Sequence, residues 1–200
     1  MADTRPAVVP AEFQQAVRSL ARTNLRAEVH VEEMRAPQRL APWTHALGLE
    51  VVHNRVEVAT GRLVLLHDPD GYEAWQGTFR LVGYASIDLE QDLAADPLLP
   101  EVAWSWLVDS LQQRSARYAA AGGTVTQTTS TRFGEPAGAA QVEPVDRCQS
   151  GLELRVSWTP LDPADLGDHL HAWAELLCTA AGLPPPGVTV LPGRADPLSL

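Results

Sequence analysis

The stretch "GRLVLLHDPDGYEAWQGTFRLVGYASIDLE", residues 61–90, constrains the fold more than any other part of the chain. Two apolar runs flank a polar knot. Leu63 and Leu65 alternate with Val64 and Leu66, so both faces of the first run are expected to be covered. In the second run, Phe79, Leu81, Ala85, Ile87 and Leu89 share one face, with Arg80, Ser86 and Asp88 on the other. The connection "HDPDGYEAWQG" is too short for a crossover helix, so the two strands must pair antiparallel.

The flanking sequence fits around that hairpin. Pro10 opens an amphipathic helix with Phe13, Ala16, Val17, Leu20 and Ala21 at helical spacing, and Glu12 complements its dipole. "AEVHVEE" and "THALGLEVV" alternate as strands, Val29 and Val31 facing inward in the first. "ADPLLPEVAWSWLVDSLQQRSARYAAAGG" is expected to form one helix that ends at Gly122 and Gly123, with Trp104, Leu107, Val108, Leu111 and Tyr118 as its stripe. The Thr-rich "TVTQTTSTRF" and the alternating "LELRVSWT" are strands, separated by the linker-like "GEPAGAAQVEPVDRCQSG". Asp162, Pro163 and Asp165 open a last helix that buries Leu166, Leu170, Trp173, Leu177 and Cys178. The expected fold is α+β, an antiparallel sheet of about six strands with helices packed on one face, in the order α-β-β-β-β-α-β-β-α. Residues 10–191 form one domain, preceded by a flexible 1–9 and followed by a loose tail at 192–200.

Composition excludes several chemistries. The formal charge is −10, which repels phosphate backbones overall, so a nucleic-acid partner is not expected. All 15 basic residues are Arg, and the absence of Lys removes P-loop and Schiff-base mechanisms. The 2 cysteines, Cys148 and Cys178, show no zinc spacing. No signal peptide or membrane span is visible, which points to the cytoplasm.

The candidate sites read mostly as structure. His67, Asp68, Asp70 and Glu73 fail the spacing of a calcium loop, because its terminal Glu position falls on Phe79. Asp-Pro-Asp-Gly is a common chain reversal, so Asp68–Gly71 is expected to be a surface turn. His169 and His171 sit two apart on a helix and cannot share a metal. No nucleophile elbow or dinucleotide loop is present. No catalytic, cofactor or metal residue is assigned, and no cofactor is expected. Trp106 is different. It lies about 200° from Trp104 around the helix, off the core stripe.

Taken together, "APQRLAPWTHAL", the 61–90 stretch, "ADPLLPEVAWSWL" and "AAAGGTVTQTTSTRFG" resemble an actinobacterial family catalogued as a domain of unknown function (number three thousand), from about Pro10 to Leu191. "SWTP" and "DLGDHLHAWAELLC" fit its C-terminal part. The resemblance implies a cytosolic actinobacterial protein with a functional link to a ribonuclease-D-like neighbour. It supplies no catalytic residues.

The functional expectation is a non-enzymatic interaction or regulatory module with a secretion-chaperone-like order of elements. The alternative is a small-ligand binder or metal-independent enzyme that uses a concave sheet face. The Thr-rich strand holds too few apolar residues for a central position and should lie at a sheet edge. Trp106, Thr126, Thr128 and Ser130 are therefore expected to line a partner or self-association surface.

Overall fold

The computed structural model describes residues 8–89, 91–131, 148–185 and 187. The outer parts of the expected flexible N-terminus, the tail at 192–200, Arg132 and most of the linker-like stretch lie outside the described residues. The elements are α1 (Ala11–Ala21), β1 (Val29–Met34), β2 (Trp43–His53), β3 (Val56–Tyr72), β4 (Gly77–Leu89), a single turn α2 (Gln91–Ala94), α3 (Leu99–Gln113), β5 (Tyr118–Thr131), β6 (Cys148–Pro160) and α4 (Gly167–Ala180). The six strands form one antiparallel sheet in the order β1-β2-β3-β4-β6-β5. This is the α+β architecture the periodicity predicts.

Helices cover one face. The core beneath them takes alternate residues from every inner strand: Leu47 and Leu49, Leu63 and Leu65, Leu81 and Ala85, Leu152 and Leu154. Trp158 and Trp173 are its largest fully buried side chains, with ring centroids 6.0 Å apart. Gly83 makes room for them, since a Cβ there would come within 2.6 Å of the Trp173 ring. The other face carries a smaller cluster of Ala46, Val64 and Leu66 beneath Met34, Ala36, Ala41 and Trp75. Both faces of the central part of β3 are thus covered, as its sequence requires.

Three local expectations are corrected. The helix over "AWSW" stops at Gln113, and Tyr118–Gly123 belongs to β5. Ser115, with φ 56°, supplies the left-handed residue that glycine was expected to supply, and the Ala116 N–H donates to the Leu111 carbonyl at 2.9 Å. Gly123 instead lets β5 approach β6, since a Cβ there would lie 2.4 Å from the Arg155 carbonyl oxygen. A register shift between Ala119 and Gly122, with Ala120 at φ 49°, marks a bulge beside it.

The chain does not reverse at Asp68–Gly71 either. Those residues bulge out of β3, and the reversal follows at Glu73–Trp75 with Gln76 left-handed at φ 56°. Gly71 does have positive φ, 69°, as turn chemistry demands, but Asp68 is buried and accepts the Asp70 N–H at 3.0 Å. Finally, Val31 stands on the helical face, opposite Leu49, but is exposed rather than buried, because β1 ends the sheet and the helices do not reach it.

Candidate functional site

The Thr-rich part of β5 spans residues 124–131, after its Ala- and Gly-rich start, and the place of the strand in the sheet follows from what it lacks. Beside it, β6 offers Leu152, Leu154, Val156 and Trp158 to the helical core, all at most 2% exposed. The same face of β5 offers Val125 and Gln127, which lie opposite Leu154 and Leu152. The strand with the larger apolar payload takes the inner position, and β5 is left outside. No strand among the described residues pairs with its outer side.

That edge is chemically plain. From Tyr118 to Thr131 it carries no charged side chain. Thr126, Thr128 and Ser130 are exposed on the sheet's open face, across from Glu153, Gly151 and Gln149 of β6. Inward-pointing Gln127 donates its amide to the Ala94 carbonyl of α2, which ties the edge to the helical layer.

Trp106 is not part of that surface. It sits half-buried on α3, in the helical layer, while Thr126 and Thr128 point to the opposite side of the sheet. Trp106 lines a groove of about 420 Å³ with Arg26, Arg114, Glu175, Pro184 and Pro185. Arg114 pairs with Glu175 at 2.9 Å, and Arg26 grips both Glu28 carboxylate oxygens and the Pro184 carbonyl. The Arg26 hydrogen bonds hold the Glu28 carboxyl down to about 2. The chain's own Pro184 and Pro185 thus line the same groove as Trp106, which packs against the core. Trp104 is likewise half-buried, not a core residue.

The open face carries a cross-strand row: Arg62 on β3, Tyr84 on β4, Arg155 on β6 and Thr124 on β5 stand in register. The Arg155 guanidinium lies 5.6 Å from the Tyr84 ring centre and 3.2 Å from a Glu153 oxygen. Further along, Arg80 is only 9% exposed and donates to the Thr159 hydroxyl at 3.0 Å and the Ser157 hydroxyl at 2.8 Å. Burial pushes its guanidinium below the ordinary arginine value.

Two histidines have roles that helical spacing and turn signals do not reveal. His67 is fully buried, its ring 4.1 Å from Phe79 and 6.0 Å from Phe13 between centroids. Its Nδ1–H donates to the Thr78 carbonyl at 3.0 Å. Glu12 Oε1 stands 3.0 Å from Nε2, but that nitrogen has no partner with hydrogen-bond geometry. His169 is 2% exposed, and its Nδ1 accepts the Trp158 indole N–H at 3.1 Å. Burial lowers it to about 4, so it sits in the core as neutral imidazole. His171 stays at the surface side of the same helix, as its spacing implies. Burial also raises the Cys178 thiol to about 11, which makes it a packing group and not a nucleophile.

Among the described residues, no group of three or more His, Cys, Asp or Glu could hold a metal ion. No helix there is long and apolar enough to cross a membrane. No curated protein and no solved structure matches the chain. The sequence model of one family does match, over residues 9–189, and its description is a protein of unknown function. That span takes in every strand and helix described above: the chain belongs to the DUF3000 family.

Proposed function

We propose that this chain is a non-enzymatic interaction or regulatory module that acts in the cytosol and takes up an extended partner segment along β5. The observation that carries the reading is the edge itself: 14 residues of terminal strand with no charged side chain. An edge strand presents unpaired amides and carbonyls, and proteins ordinarily blunt such edges with charge, proline or a cover. Strand addition uses these backbone groups for affinity and alternate side-chain positions for selectivity. A helix-backed sheet with one open face is also the arrangement expected of a secretion-chaperone-like domain, a likeness of layout only.

The test uses Thr126→Lys together with Thr128→Lys, which places charge on the edge without removing a backbone donor. Peptides selected from a display library on the wild-type protein should lose about tenfold or more in affinity for the variant, since interfacial charge is costly to desolvate. Undiminished binding at unchanged melting temperature overturns the reading.

The small-ligand alternative draws on a hollow of about 650 Å³ between α1 and the segment leading into α4. Arg18 and Arg22 face Asp162 and Asp165 across it, so it suits a zwitterionic molecule better than a simple anion. Its test is a thermal-shift screen of zwitterionic metabolites, repeated on Arg18→Ala with Arg22→Ala.

A further inference from the structure

Resting on that reading of β5, we infer that the segment taken up along the edge is β5 of a second copy of this chain, joined antiparallel about a two-fold axis through Gln127. In an antiparallel pair, residues directly opposite each other lie on the same face of the sheet. Centring the axis on Gln127 sets Gln127 against itself, Thr126 against Thr128, Val125 against Thr129 and Thr124 against Ser130. Every one of these pairs is uncharged, and Thr–Thr pairs are favourable cross-strand neighbours. The exposed residues Thr124, Thr126, Thr128 and Ser130 meet one another, half-buried Gln127 meets itself, and the two helical layers fall on the same side of one continuous sheet.

The surroundings supply a second, independent observation. Leu93, Leu98 and Val102 are 41%, 58% and 39% exposed, a concentration of large apolar side chains on one short segment. They belong to α2, the turn after it and the start of α3, the elements packed over β6 and β5. Strand pairing alone buries less than the roughly 1,600 Å² of a standard interface. The two-fold brings these helical segments of both copies to the same side of the junction, where they add apolar area.

Charge selects the same partner. An uncharged strand offers no sign by which to choose an acidic or basic segment, whereas it is complementary to itself. Two chains of formal charge −10 repel each other, and β5 is the edge where they can meet with no carboxylate on either of the paired strands. The opposite edge, β1, carries Glu32 and Glu33. A head-to-tail β1–β5 contact would propagate into open filaments, while β5–β5 contact closes on itself. The acidic β1 edge leaves only the closed form.

The experiment is native mass spectrometry and sedimentation across a concentration series, on the full chain. The wild type should be a dimer that tightens as salt is raised, because screening relieves repulsion between the copies. Thr126→Lys with Thr128→Lys places like charges directly opposite and should return the monomer. Gln127→Cys in a Cys148→Ser background should form a disulfide-linked dimer under mild oxidation, since paired strands set opposite Cα atoms about 5 Å apart, within disulfide reach. Should the lysine variant fail to fold, the cysteine link decides alone. A wild type that stays monomeric, or a dimer that survives the lysines and forms no link, overturns the inference. If the monomeric protein still binds displayed peptides along β5, the second copy is wrong and strand addition stands. If it binds none, both fall.

Discussion

The two edges of this sheet face the same physical hazard and answer it in opposite ways. β1 is short, with the burial-to-exposure pattern of a strand whose outer residues are mostly solvated, and it carries His30, Glu32 and Glu33. Its start is locked by Arg26, which joins Glu28 to the exit of α4. β5 is more than twice as long, uncharged, and left without a described neighbour outside. The β1 edge has the usual protection against pairing; among the described residues the β5 edge has none of it. In an acidic chain that contrast is informative, because carboxylates were available and are absent from one edge only.

Exchanging the character of the two edges should have the largest effect. Glu32→Thr combined with Glu33→Thr makes β1 resemble β5, and light scattering should then show concentration-dependent species larger than a dimer. Particle sizes identical to wild type would mean that β1 is guarded by something other than its carboxylates.

Next comes the close approach that holds β5 against β6. Gly123→Val forces a side chain toward the Arg155 carbonyl and Val156 Cα, and should cost about 3 kcal/mol or more in a denaturant melt. Gly122, where an added Cβ meets nothing within 4 Å, provides the control. Gly122→Ala should change stability by no more than about 0.5 kcal/mol.

Acid should loosen the β5 side of the molecule before the β1 side. His169 is lowered from 6.5 to about 4 by burial under β6. As pH falls, the unfolded chain takes up its proton near 6.5, while the folded state resists until about 4. The stabilisation is therefore fully present above about 6.5 and is lost as pH falls toward 4, on the order of 3 kcal/mol in all. Hydrogen exchange at pH 5 should show protection falling first in β6 and α4. Equal loss in β1 and β2 would contradict this assignment.

The smallest effects belong to the bulge in β3. Gly71→Val, at φ 69°, should cost about 1 kcal/mol or more. Asp70→Asn keeps the local hydrogen bonding and should change stability by at most about 0.5 kcal/mol. A large loss from Asp70→Asn would reveal a role for that carboxylate beyond the bulge.

The parts of this architecture that were legible in the sequence are those that depend on neighbours close in the chain. Alternation over 78–89 and 152–159 marked β4 and β6, and the helical stripe of Leu166, Leu170, Trp173, Leu177 and Cys178 is buried as its spacing requires. The errors came where a local signal had two readings. Ala119, Ala120 and Ala121 favour a helix, yet they extend β5, because pairing with β6 outweighs a propensity of a few tenths of a kcal/mol per residue. Glycines after a helix suggest a stop, and here they serve a bulge and a close strand approach. Asp-Pro-Asp-Gly reads as a reversal, and here it protrudes from a strand that continues past it.

The candidate site divides the same way. That the Thr-rich strand belongs at an edge follows from its own composition, since a strand with so little to bury loses the competition for an inner place. That Trp106 and Thr126 lie on opposite sides of the sheet does not follow from their sequence, because it depends on how α3 lies over β5. The burial of His67 against Glu12, Phe13 and Phe79, and of Arg80 against Ser157 and Thr159, is equally hidden: each partner comes from a separate element. The amino-acid sequence by itself determined the antiparallel pairing, the periodicity of each element and the neutrality of β5. Only the tertiary structure decided which strands are neighbours and which polar groups are enclosed, because those choices depend on the apolar area that distant segments bury against one another.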